Sequence, residues 1–364
     1  MKDIYVTKSF LPPLRKYQKY LDNIWEGGQM TNQGPLLESL EDRLLDYLGV
    51  KNINVVANGT IALQLALSAL EIDTGEIITT PFSYVATTSA ILWERCTPIF
   101  VDINPDNFCI DANKIEGAIT KNTKAILAVH VFGFPCNIEK IEEIAKKHKL
   151  KVIYDAAHAF GVKYKGKSLL SYGDISTCSF HATKLFNTIE GGCIVAKDNG
   201  ISKKLDLIKR FGHNDDNHVY LGINAKLSEF QAAMGLCNLD YIDKIIESRK
   251  KIANTYDQLL VDIIKKIKIP NEVEYNYAYY PIVLKDEYET LGLIKKLKEK
   301  GIYPRRYFHP SLNTLPYLNH HQSCPISEDI SSRILCLPMF YGLGIEDSRK
   351  ICKVINKYLL SVNI

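Results

Sequence analysis

With 364 residues, of which 46% are hydrophobic, 24% charged and 10% aromatic, the chain has ordinary globular composition, which excludes disordered, collagen-like and coiled-coil proteins and suits two or so domains. Its 45 Lys and Arg against 41 Asp and Glu give +4 at pH 7, spread along the chain with no basic tract, which argues against a dedicated nucleic-acid surface. Nine cysteines with no CxxC pair, an N-terminus without an apolar leader and apolar runs too short for a bilayer indicate no disulfide framework, no zinc ribbon and no membrane span, so the expected location is cytoplasmic.

In chain order, the spacing of Leu36, Leu37, Leu40, Leu44, Leu45 and Leu48 after Gly34-Pro35 predicts an amphipathic helix over 35–48. Strands are predicted at 53–57, 77–80, 97–101, 125–131 and 151–154, separated by helical stretches such as 61–70 and 138–148. This alternation implies an α/β fold with a mostly parallel sheet between helices, and it directs ligands to the carboxyl ends of the strands. Further strands are expected at 176–180 and 189–195. Residues 199–263 read as long helices, including 225–235 and 242–260. A strand at 278–283, a helix at 291–300 ending on Gly301 and a final helix at 345–359 suggest a smaller α+β domain. The division expected is 1–240 for a large domain and 241–364 for a bridging helix with a small C-terminal domain.

One motif is a decoy. Gly161 to Ser168 matches the Walker A pattern, but residues 162–165 read as half of a β-hairpin turning at Gly166, and no helix can follow before Gly173. No GxGxxG follows any strand. The informative stretch is Asp155-Ala156-Ala157-His158 at the end of an apolar strand, followed by Ser179, Lys184 and Gly191-Gly192. Asp155 suits either a helix N-cap or a carboxylate at the ligand edge of the sheet, and Lys184 suits either a solvated surface or chemistry. Together they meet one chemical requirement: a lysine for a Schiff base and an earlier acid that keeps a pyridine nitrogen protonated. The cofactor expected from this pairing is pyridoxal phosphate. Asn58-Gly59-Thr60, opening a helix directly after a strand, supplies donors for its phosphate or else an ordinary capped turn.

At this point the residues carry a family resemblance. Thr31-x-x-Gly34-Pro35, the Asn58-Gly59-Thr60 helix start, Pro81-Phe82-Ser83-Tyr84-Val85-Ala86-Thr87, Thr97-Pro98-x-Phe100-Val101-Asp102, Val129-His130-Val131-Phe132-Gly133, Asp155-Ala156-Ala157-His158, Ser179-x-x-x-x-Lys184, Gly191-Gly192 and the 222–229 segment occur in one order. The chain thereby resembles the DegT/StrS-type pyridoxal-phosphate sugar aminotransferases, which share the aspartate aminotransferase fold (fold type I). The resemblance implies Lys184 as the Schiff-base lysine and proton shuttle, Asp155 as the partner of the pyridinium nitrogen, and Tyr84 as the aromatic stacked on the ring. His158 stands near the ring where many relatives have Gln. Gly59, Thr60 and Ser179 match phosphate-binding positions, and Asn224 matches an asparagine that reaches the phosphate of the neighbouring subunit, which implies a homodimer with shared active sites.

The same resemblance implies L-glutamate as amino donor, pyridoxamine 5'-phosphate as the intermediate cofactor state, and a keto sugar on a nucleotide diphosphate as acceptor. Arg305 and Arg306, with Tyr307 and His309, form the candidate substrate segment; a solvated basic turn is the other reading. The 10–14 segment, the Trp25 region and Arg305-Arg306 most resemble the subgroup that aminates C4 of a dTDP-linked 4-keto-6-deoxy sugar for O-antigen and other surface polysaccharides. Amination at C3, or a GDP or UDP carrier, stays open at this point. A related sugar-dehydratase branch replaces the lysine with histidine, and Lys184 stands against it. A non-catalytic sensor of the same fold is the reading from another class.

Overall fold

The computed structural model describes residues 3–262, 264–318 and 322–362. Short runs of aliphatic and β-branched residues supply seven strands, β1 (Asn54–Val56), β2 (Glu76–Thr79), β3 (Thr97–Phe100), β4 (Thr123–Val129), β5 (Lys151–Asp155), β6 (Ile175–Ser179) and β7 (Gly192–Ala196). They form one sheet in the order β1-β7-β6-β5-β4-β2-β3. Only β7 runs against its neighbours; the remaining pairings are parallel. Such strands are covered on both faces, which explains why they read as near-continuous apolar runs.

Helices α1 (Leu14–Gly27), α2 (Pro35–Leu48), α3 (Gly59–Ala69), α4 (Ala86–Trp93), α5 (Ile138–His148), α6 (Asn199–Ile208), α7 (Glu229–Leu239) and α8 (Ile242–Leu259) surround the sheet. One core gathers α2, α5 and α7 with one sheet face, and a second gathers α3 and α6 with the other. α2 begins where its leucine spacing predicts, with Pro35 at its first turn. Its N-terminal amides are met from far along the chain: Leu36 and Leu37 donate to the buried carboxylate of Glu229 at 2.8 and 2.9 Å. A Cβ on Gly34 would lie 2.5 Å from that carboxyl carbon, so the Gly34-Pro35 and 222–229 motifs are two halves of one contact.

The structure corrects the expectation of long helices through 199–263. Between α6 and α7 runs a loop carrying a small hairpin, His213–Asn214 paired with Asn217–His218. Gly212 at φ +72° and the Asn214-Asp215-Asp216-Asn217 turn override the apolar spacing there. α7 starts at Glu229 rather than 225 because Ser228 and Gln231 form a capping box. Likewise α9 (Glu287–Lys298) starts four residues before the expected 291, since Asp286 caps the Glu289 amide at 2.8 Å. α1 and α10 (Pro325–Arg333) were not predicted; of α1 only Ile24 is buried, so its apolar stripe is faint in sequence.

Most buried apolar residues from Ile252 onward collect around a core of their own, with β8 (Lys265–Lys266), β9 (Pro281–Val283) and β10 (Ile334–Cys336) in one sheet and α9 and α11 (Ile345–Val362) against it. The N-terminal Ile4–Tyr5 strand crosses to this half and pairs with Ile302–Tyr303. At 163–168 the hairpin is present: Lys163–Tyr164 pairs with Lys167–Ser168, and the following Leu169–Ser171 makes only a 3-10 turn. The Walker-like stretch therefore has no helix to present to a phosphate. No helix among the described residues is long and apolar enough to cross a membrane.

Candidate active site

The carboxyl ends of β1, β5 and β6 open onto one cavity of about 590 Å³, closed on its far side by Tyr279, Arg305 and Tyr307. This is where ligands sit in open α/β sheets.

Asp155 ends β5 and is 6% exposed. Its Oδ2 accepts from the Thr87 hydroxyl at 2.8 Å and its Oδ1 from the Ala157 amide at 3.1 Å, while Thr87 is itself bonded to Ser83 at 2.8 Å. Burial pushes the carboxyl above its ordinary range; the Thr87 and Ala157 bonds and the charge of Lys184 pull the other way. Asp155 has no ion-pair partner among the described residues, so a buried carboxylate is held ready for a cationic N–H, and the protonated nitrogen of a pyridine is one.

Lys184 enters from the loop after β6, with its backbone amide on His181 O at 2.8 Å. The side chain as a whole is half-buried, yet its ammonium end is enclosed. That enclosure lowers its pKa, and nearby Asp155 raises it, so the amine is easier to deprotonate than a surface lysine. Its Nζ lies 3.5 Å from the Tyr279 hydroxyl.

His158 is buried, and its Nδ1 accepts the Phe132 amide at 3.2 Å, which places the ring proton on Nε2. Burial holds it well below its ordinary pKa and hence neutral. Phe308 stacks on it at 5.5 Å and Tyr279 meets it edge-on at 5.0 Å.

The opposite end of the cavity is an anion cradle. Asn58 caps α3 by accepting the Ile61 amide at 2.9 Å, leaving the first-turn amides of Gly59 and Thr60 without intrahelical acceptors at the positive end of the helix. Ser179 adjoins them: a Cβ on Gly59 would lie 2.9 Å from the Ser179 Cβ. The second glycine of the Gly191-Gly192 pair has the same origin, since a Cβ on Gly192 would lie 2.9 Å from the backbone of both Asn58 and Gly59. Gly192→Ala is expected to push this turn, destabilising the fold by about 1–3 kcal/mol and weakening retention of a phosphate-bearing ligand. Thermal unfolding with and without pyridoxal phosphate measures both; curves matching the parent would refute the close-packing argument.

Tyr84 stands on the cavity rim with 56% of its surface exposed, a ring free to cover a planar ligand. The structure separates the two candidate arginines. Arg305 lines the cavity, its guanidinium 4.7 Å from the Tyr307 ring centre, and makes no ion pair among the described residues. Arg306 turns away, bonded to Glu287 at 2.6 Å, Ser332 O at 2.7 Å and His309 at 3.2 Å; neither it nor His309 lines the cavity. Adjacent residues of an extended segment face opposite sides, which two consecutive arginines in a sequence cannot reveal. Asn224 also lies outside its own chain's cavity, exposed and accepting from Lys226 at 2.7 Å.

Sequence reasoning missed Thr87 as the support of Asp155 and Tyr279 as the neighbour of Lys184. Thr87 closes the 81–87 motif, and Tyr279 lies in the aromatic run from Tyr275 to Tyr280, so composition marked both segments without marking the residues.

A buried acid without an ion-pair contact among the described residues, an enclosed lysine and an anion-binding helix end, brought to one cavity, match the chemical needs of pyridoxal phosphate, and this is the equipment of a fold type I transferase. The chain belongs to the DegT/DnrJ/EryC1/StrS aminotransferase family, whose model matches residues 15–356. Over 351 residues it is 43% identical to a dTDP-4-amino-4,6-dideoxy-D-glucose transaminase of Shigella dysenteriae, covering 94% of this chain and 95% of that protein. A transaminase of the same name from Escherichia coli is 41% identical, with 97% and 98% covered. Among solved structures, DesI with its TDP-sugar product superposes with a TM-score of 0.93 at 29% identity, covering 100% of this chain and 96% of that one. The protein is an aminotransferase.

Proposed function

We propose that this aminotransferase uses pyridoxal 5'-phosphate to move an amino group from L-glutamate to dTDP-4-keto-6-deoxyglucose, forming dTDP-4-amino-4,6-dideoxyglucose for a surface polysaccharide such as an O-antigen. The observation that carries the substrate is the 43% identity, over nearly the whole chain, to a transaminase of that name. The donor and the cytoplasmic location rest on the family resemblance.

When bound, pyridoxal phosphate supplies an aldehyde and a protonated ring that draws electrons from the bond being broken. The chain's own residues do the rest. Asp155 holds the ring N–H through charge and hydrogen bonding, while Thr87 and the Ala157 amide fix its orientation. Lys184 would anchor the aldehyde, and as a free amine its Nζ would carry the proton taken from the donor's α-carbon. Gly59, Thr60 and Ser179 would hold the phosphate, His158 would offer its Nε2–H on the cofactor's side of the cavity, and Tyr84 would cover the ring. Arg305 and Tyr307 meet the anionic parts of donor and nucleotide sugar.

A homodimer belongs to the same proposal. The exposed 211–224 loop, with Phe211, Leu221 and Ile223 at the surface beside Asn224, suits a neighbour's site. The proposed division into 1–240 and 241–364 is supported by the turn between α7 and α8. To test the function, purified protein is incubated with cofactor, L-glutamate and one keto sugar at a time, and the product is identified by mass spectrometry and NMR. The expected product carries nitrogen at C4 of the dTDP sugar; amination only at C3, or only of a GDP- or UDP-linked sugar, would overturn the substrate assignment.

A further inference from the structure

We infer that Tyr279 is a positioning residue for catalysis: its hydroxyl receives the ε-amine of Lys184 whenever that amine is free, and holds it over the proton it must move. The inference rests on the aminotransferase reading of Lys184 and deepens it.

The geometry begins with the amine. Lys184 Nζ has one hydrogen-bond partner among the described residues, the Tyr279 hydroxyl, at 3.5 Å. This is a long bond, so little is lost when the lysine returns to the cofactor's aldehyde. The tyrosine, in contrast, is tightly fixed. Asn276 donates to the carbonyls of both His158 and Phe160 at 2.9 Å and accepts the Ala278 amide at 3.0 Å. The buried Arg249 donates to the Ala278 carbonyl at 2.9 Å, and Tyr275 donates to Phe132 O at 2.8 Å. The Tyr279 ring is wedged between Phe132, His158 and Tyr307, at 5.3, 5.0 and 5.6 Å. A side chain locked on this many sides is built for position, and the atom it presents is a hydroxyl.

A hydroxyl suits a lysine that cycles between amine and ammonium. Burial keeps the phenol un-ionised, its pKa pushed well above the ordinary tyrosine value. A neutral phenol accepts from the ammonium and donates to the amine's lone pair, so both forms are held at one point. Tyr279 keeps its own proton throughout; the proton that moves is carried by Lys184.

The experiment compares Tyr279→Phe with the parent as holoenzymes. Single-turnover absorbance with saturating L-glutamate should fall about 10-fold in rate, the scale of one lost hydrogen bond in the transition state, with an unchanged half-saturating concentration and a larger effect of α-deuteration. Independently of donor and sugar, protein loaded with pyridoxamine phosphate leaves Lys184 free; acetic anhydride should label it severalfold faster in the variant, read by peptide mass spectrometry. Labelling equal to the parent, or an unchanged rate and isotope effect, overturns the inference. Should L-glutamate fail to bleach even the parent, the donor assignment falls, while the labelling comparison still judges Tyr279.

Discussion

Lys184→Ala is expected to give a folded protein that holds no cofactor covalently and whose turnover falls by on the order of 10⁴-fold or more. In the proposed mechanism the lysine performs two tasks, anchoring the aldehyde and carrying the proton, and among the described residues no other amine lines the cavity to take over either. Its removal leaves the scaffold intact, because the loop that carries it is held by backbone bonds, Lys184 N to His181 O and Thr188 N to Phe180 O. Borohydride treatment followed by peptide mass spectrometry checks the covalent link, and circular dichroism the fold. Turnover retained within about 10-fold of the parent would remove Lys184 from the chemistry.

The second large effect is expected at Asp155. Asp155→Asn keeps the shape and one acceptor for Thr87 but deletes the charge, so a cationic ring nitrogen would be enclosed without a counter-charge. Breaking a buried pair in this way costs about 3–5 kcal/mol, which corresponds to a loss of about 10²–10⁴-fold in kcat. If Asp155 acts on the cofactor and not on the sugar, as proposed, the KM for the nucleotide sugar should stay close to that of the parent. Steady-state kinetics separate the two: a raised sugar KM with kcat unchanged would mean that the carboxylate serves binding and not the ring nitrogen.

Much of this site was legible in the sequence because its elements are local. The acid at the end of β5, the glycine and threonine at the start of α3 and the glycine pair opening β7 each sit at a strand end, where chain order and spacing already state their place. The hairpin that disqualifies the Walker-like stretch was legible for the same reason, through its turn at Gly166. What escaped was set by contacts distant in sequence. Glu229 caps a helix that begins nearly two hundred positions earlier, Asn276 and Arg249 fix Tyr279 from separate elements, and Glu287 draws Arg306 away from the cavity. The helices expected at 225 and 291 moved because side-chain caps at Ser228 and Asp286 outweighed apolar periodicity.

The central claim is that one cavity runs two half-reactions in turn, and the absorbance spectrum of the purified holoenzyme tests it most directly. L-Glutamate should bleach the visible band of the bound cofactor, and dTDP-4-keto-6-deoxyglucose added afterward should restore it. A holoenzyme whose visible band is unaffected by the donor, or is bleached by it and restored by no keto sugar, would contradict the account.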